Sequence, residues 1–201
     1  NFLNISSQEV ITAVVPLSKT TFEVPIGKAN RGSSISRSDI GTKYLFMATR
    51  DGVVKKVAVE EFANIRRSGL IAIKLYEGDS LNWVRLTSGN DEILLVASDG
   101  NSIRFKEKDV RGMGRNAAGV YGVKLNKDDQ LVGMEVVKDQ ATIKNQLLVI
   151  MENGYGKRTD LKAFKIQKRA GKGIKAAKIT SKTGKIVSAQ IVDPEQKGLI
   201  I

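Results

Sequence analysis

Apolar residues along this chain come in short, often β-branched runs separated by polar turns, and the turns recur at a regular interval. Residues 44–48 and 53–57 flank Asp51-Gly52, residues 93–97 and 102–105 flank Asp99-Gly100, and residues 147–151 and 155–158 flank Asn153-Gly154. Apolar runs joined by Asp-Gly or Asn-Gly predict β-hairpins with type I′ turns, which need positive φ at both central residues. The three turn glycines are spaced by 48 and 54 residues, and a second set, Gly69, Gly119 and Gly173, by 50 and 54. A third strand is predicted after each glycine of the second set, over residues 70–75, 120–125 and 174–179. A polar turn and a fourth strand follow, over residues 81–86, 131–137 and 186–192.

A four-stranded unit recurring about every fifty residues is the pattern of a propeller blade and does not fit a helical repeat. The predicted class is therefore all-β: a β-pinwheel or propeller-like domain over residues 1–201, with about three full blades and parts of two more. Residues 10–17 read as the last strand of a preceding unit, and residues 197–201 as the first strand of a following one. With Asn1 at the start and both ends falling inside a unit, the chain reads as part of something longer. Residues 18–43 interrupt the period and are too long for an ordinary blade connection, so they are expected to form an exposed inserted loop.

Composition narrows the chemistry. The chain has no cysteine and no histidine. That removes disulfides, a thiolate nucleophile, the commonest metal ligand and the commonest general base. No phosphate-cradling glycine loop and no clustered acidic motif occurs, so neither a catalytic site nor a metal site is expected. No apolar run is long enough for a membrane-spanning helix. The net charge of +12 points to an anionic partner, with nucleic acid ahead of a membrane surface. Aromatic residues make up only 5%, so base stacking should not dominate any such binding.

The cations keep the phase of the repeat. Lys55 and Lys56, Arg104 and Lys106, and Lys157 and Arg158 follow the hairpin turns. Arg66 and Arg67, Arg111 and Arg115, and Lys168 and Arg169, with Lys172, precede the third strands. Lys74, Lys124 and Lys178 stand five residues after the second-set glycines, while Glu77, Asp79, Asp128 and Asp129 fall in the next turn. Cations at one phase of a stacked repeat form a band, and a regular band suits the phosphates of duplex DNA better than its base edges.

Several stretches carry a family resemblance. They are Phe46-Met47-Ala48-Thr49-Arg50-Asp51-Gly52-Val53-Val54-Lys55-Lys56, Ala72-Ile73-Lys74-Leu75, Arg104-Phe105-Lys106-Glu107 with Val110-Arg111-Gly112-Met113-Gly114, and Asn153-Gly154-Tyr155-Gly156-Lys157-Arg158-Thr159. Together they resemble the C-terminal domain of the A subunit of bacterial DNA gyrase. The resemblance implies a six-bladed β-pinwheel whose blades exchange a strand, and whose basic rim wraps double-stranded DNA for ATP-dependent negative supercoiling. It further implies a bacterial cytoplasmic setting, no cofactor in this part, and partnership with the gyrase B subunit, as well as with the N-terminal core that precedes this domain in the A subunit. The family's catalytic tyrosine lies in that core, outside this chain.

The family hallmark is the heptapeptide Gln-Arg-Arg-Gly-Gly-Arg/Lys-Gly. Gln167-Lys168-Arg169-Ala170-Gly171-Lys172-Gly173 matches it at five positions, with Lys168 in place of Arg and Ala170 in place of Gly. The family box lies at the start of the domain, so this loop reads as a later, weaker copy. Two alternatives stand beside gyrase: the equivalent domain of topoisomerase IV, which lacks the box and wraps little, and a propeller scaffold that binds an acidic protein.

Overall fold

Eleven strands in three sheets make up the described part of the molecule. The computed structural model describes residues 9–17, 42–65, 68–138 and 145–195; most of the expected inserted loop, together with Arg66 and Arg67, lies outside them. The strands are β1 (Tyr44–Thr49), β2 (Val53–Ala58), β3 (Leu81–Thr87), β4 (Glu92–Ala97), β5 (Asn101–Lys106), β6 (Val120–Tyr121), β7 (Leu131–Val137), β8 (Gln146–Met151), β9 (Gly156–Asp160), β10 (Ile174–Lys175) and β11 (Ile186–Val192).

The predicted hairpins form, but their turns differ from the expectation. Gly52, Gly100 and Gly154 have φ of +86°, +89° and +79°, whereas Asp51, Asp99 and Asn153 are not among the described residues with positive φ. The glycine N–H closes each turn onto the carbonyl three residues back, Gly52 onto Thr49 at 3.2 Å. These are three-residue hairpins ending in a left-handed glycine, the other common use of Asp-Gly and Asn-Gly.

The fourth strands pair with the first strands of their own repeats, β3 on β1, β7 on β4 and β11 on β8. The third strands do not stay at home. β6 pairs with β2 of the first repeat and β10 with β5 of the second, giving sheet orders β3-β1-β2-β6 and β10-β5-β4-β7. The blades therefore exchange a strand. Residues 70–75, expected as a strand, lie in no sheet, because the described residues contain no earlier hairpin to receive them. Residues 10–17 likewise form no strand, although Val15 and Leu17 pack on the first blade.

Stacking of the blades explains the unbroken apolar runs. Along β4, Ile93 and Leu95 face the first blade, and Leu94 and Val96 face the third. A strand buried on both faces has no polar alternation to keep. Between the first two blades, Phe46, Phe105, Ile93, Leu95, Ile103 and Met134 have under 2% of their surface exposed. Full burial of such side chains is worth about 1.5–3 kcal/mol each, so neighbouring blades form one cooperative unit.

Candidate nucleic-acid interface

The periodic cations divide into two populations. The first lies inside the fold. Lys55 on β2 has no exposed surface. Its ammonium donates to the carbonyls of Ala72 (2.9 Å), Arg115 (2.5 Å) and Ala117 (2.8 Å), and burial pulls it below the ordinary lysine value. Lys56, 6% exposed, donates to the Glu107 carbonyl at 3.3 Å, sits 3.7 Å from the Glu107 carboxylate and covers the Tyr44 ring.

Arg104 occupies the Lys56 position one repeat later. It grips Glu92 with two nitrogens and donates to the carbonyls of Leu161 (2.9 Å) and Phe164 (3.4 Å). Glu107 and Leu161 each open the 3-10 turn after a hairpin. Lys56 and Arg104 therefore staple each blade to the same place on the next. These three cations were expected in the band; the structure instead turns them into the fold, Lys55 onto three carbonyls and Lys56 and Arg104 onto the Glu107 and Glu92 carboxylates as well as carbonyls, so their charge is already partnered.

The acids are also placed by structure. Asp79 accepts the N–H groups of Asp51 and Ser80, and Asp129 those of Asp99 and Gln130. They lock the turn before the fourth strand onto the hairpin tip. Their segregation from the cations thus has a local cause.

The second population faces solvent. Within each third segment, the second and fifth residues after the glycine are exposed and the residues between them are half-buried or buried. The outward pairs are Ile71 with Lys74, Tyr121 with Lys124, and Lys175 with Lys178. Tyr121 is 61% exposed although its strand is paired. Basic periodicity marks Lys74, Lys124 and Lys178 but not Tyr121 and Lys175, since the second position changes chemistry from repeat to repeat.

Backbone bonds seat each loop before a third strand beside the previous repeat's lysine. The Lys74 N–H donates to Ala117 at 3.2 Å, and the Lys124 N–H donates to Gly171 at 2.9 Å, the same position one repeat on. Lys106, Arg111, Arg158, Lys168 and Lys172 are exposed, and Lys157 is exposed while donating to the Ala176 carbonyl.

Two arginines of the loops serve the fold as well. Arg115 lies 3.9 Å from Glu61. Arg169 donates to the carbonyls of Asp109 and Tyr121, both at 3.0 Å. The box-like loop is rigid: Gln167 donates its N–H to Arg104, Ala170 holds φ of +63° and donates its N–H to Gly122, and Lys168 and Lys172 project from it.

Comparison with known proteins agrees with this architecture. Residues 43–88, 91–138 and 145–193 match the family described as DNA gyrase C-terminal domain, beta-propeller. Over 158 residues, 79% of this chain, the sequence is 41% identical to the DNA gyrase A subunit of Staphylococcus epidermidis and 43% identical to that of Staphylococcus aureus. The chain spans 18% of the length of those relatives.

Among solved structures, the C-terminal domain of DNA topoisomerase IV superposes with a TM-score of 0.70 at 27% identity, over 75% of this chain and 46% of that one. The DNA gyrase A C-terminal domain superposes with a TM-score of 0.64 at 28% identity, over 76% of this chain and 50% of that one. The repeat, the strand exchange and the sequence matches agree: this chain belongs to the DNA gyrase C-terminal domain family of β-propellers.

Proposed function

We propose that the exposed band binds the backbone of double-stranded DNA and bends the duplex along the blade rim. The observation that carries this reading is the outward set Lys74, Lys124 and Lys178, each at the same phase, with the first two hydrogen-bonded through their backbones to the next repeat's basic loop. Backbone contacts position DNA without reading its sequence, so flexible DNA is favoured through its lower bending cost. In the parent protein, the wrapped segment serves the gyrase B subunit and the N-terminal core of the parent chain in negative supercoiling, in the bacterial cytoplasm with the chromosome. The gyrase A relatives at 41–43% identity favour this role over that of topoisomerase IV.

The test is topological. Relaxed circular DNA closed by a nicking-closing topoisomerase in the presence of the chain should carry a changed linking number after the protein is removed. A variant with Lys74, Lys124 and Lys178 all changed to Gln should produce a measurably smaller change while melting at the wild-type temperature. An unchanged linking number with the wild-type chain would refute wrapping. Tight binding of a polyglutamate chain in place of DNA would favour the acidic-protein scaffold.

A further inference from the structure

The three repeats share a fold but not a charge. Residues 43–88 hold eight Lys and Arg against five Asp and Glu, and residues 91–138 hold eight against eight. Residues 145–193 hold eleven against three, a net +8. We infer that the third repeat is the main DNA grip of this chain and that the second contributes chiefly as a spacer. This rests on the DNA-backbone reading above.

The difference arises position by position. Glu92 opens β4, and the corresponding first residue of β8 is Gln146. Glu107 and Asp109 bound the 3-10 turn of the second repeat, where the third repeat has Leu161 and Ala163. The turn Lys127-Asp128-Asp129 is replaced by Lys182-Thr183-Gly184. In the second repeat the exposed cations have acidic neighbours: Lys106 stands opposite Glu92 in register, and Lys127 precedes Asp128. A carboxylate beside a lysine already neutralises part of the field a phosphate would meet, and fewer counterions are then released on binding.

In the third repeat Lys185 pairs with Asp99 of the second repeat at 3.0 Å, but the lysines of the box-like loop and of the outward positions after it have no such ion pair among the described residues. The third repeat's own three acids are engaged in hydrogen bonds with neutral groups: Asp160 with the Gln146 amide, Glu152 with the Lys185 N–H and Asp193 with the Glu195 N–H. Among the described residues, none of them pairs with Lys168, Lys172, Lys175 or Lys178, and all four lysines are exposed. Two of these lie in the rigid box-like loop and two at the outward positions after it. The outward pair itself changes from Ile71 and Lys74 through Tyr121 and Lys124 to Lys175 and Lys178, so cation density rises from the first repeat to the third, and Lys175 is carried by the exchanged strand on the edge of the second blade.

Two variants of the full chain decide the matter, each losing four exposed cations. One carries Lys168→Gln, Lys172→Gln, Lys175→Gln and Lys178→Gln; the other carries Lys74→Gln, Lys106→Gln, Arg111→Gln and Lys124→Gln. Affinity for a duplex of about 40 base pairs is measured by fluorescence anisotropy over a series of salt concentrations. Melting temperature serves as the check that both variants fold. At about 0.9 per phosphate contact, the first variant should flatten the log–log salt slope by roughly 3 to 4, and the second by about half of that or less. Equal losses, or a larger loss in the second variant, would overturn the inference. A wild-type chain without a salt slope would refute the DNA reading itself, and the inference with it.

Discussion

Lys55→Met should destabilise the fold by about 3–5 kcal/mol, a larger loss than at any exposed lysine of the chain. Methionine fills much of the same volume but donates nothing. Three carbonyls, from Ala72, Arg115 and Ala117, then lose their shared donor in a site with no exposed side-chain surface. An unsatisfied buried polar group costs about 1–3 kcal/mol, so three carbonyls that lose their one donor together account for a loss of about 3–5 kcal/mol. Lys157 is the internal control. It occupies the equivalent position, yet it is exposed and reaches only the Ala176 carbonyl. Urea denaturation should show a much lower midpoint for Lys55→Met and a near wild-type midpoint for Lys157→Met, with similar m-values. Equal small losses would mean that the Lys55 cluster does not hold the blades.

Gly173→Ala should also cost several kcal/mol, and Gly69→Ala far less, although both glycines have φ of +75°. The left-handed conformation alone costs a residue with a Cβ about 1–2 kcal/mol. At Gly173 an added Cβ would lie 2.1 Å from the Ser102 carbonyl oxygen, because the chain crosses over β5 to deliver β10. No side chain can rotate away from that contact, so the donated strand must move and part of its pairing is lost. At Gly69 nothing lies within 4 Å. Thermal melts of the two variants therefore test strand exchange directly. Similar shifts in melting temperature would indicate that β10 is not delivered across β5 as described.

The period, the hairpins and the fourth strands are legible in the sequence because they depend on neighbours close along the chain. Asp51-Gly52 marks a turn whether its type is I′ or the three-residue form, so sequence locates the hairpin better than its geometry. Strand exchange is implied by the family resemblance and is borne out, but it is not legible in the residue pattern itself, since Val120 and Tyr121 alternate correctly for pairing with either their own hairpin or the previous one. The fate of Lys55 is hidden for the same reason: its acceptors lie 17, 60 and 62 residues away. A Lys-Lys pair after a turn looks like surface until the adjoining blade is in place. The outward lysines could be read from periodicity alone, whereas Tyr121 and Lys175 required the exposure pattern of the third segment. The internal comparison of charge was available in the sequence, but its meaning depended on knowing which acids and cations the fold already uses.

A solvent-facing band of cations that binds DNA through its backbone must release counterions, so the salt dependence of affinity tests it most directly. Affinity should be measured for two duplexes of equal length and unrelated sequence, between about 50 and 200 mM salt, with flexibility matched. If about five to seven phosphates are neutralised, the slope of log affinity against log salt should be roughly −4 to −6 and nearly the same for both sequences. A slope near zero, or strong binding to only one sequence, would contradict backbone binding by the band.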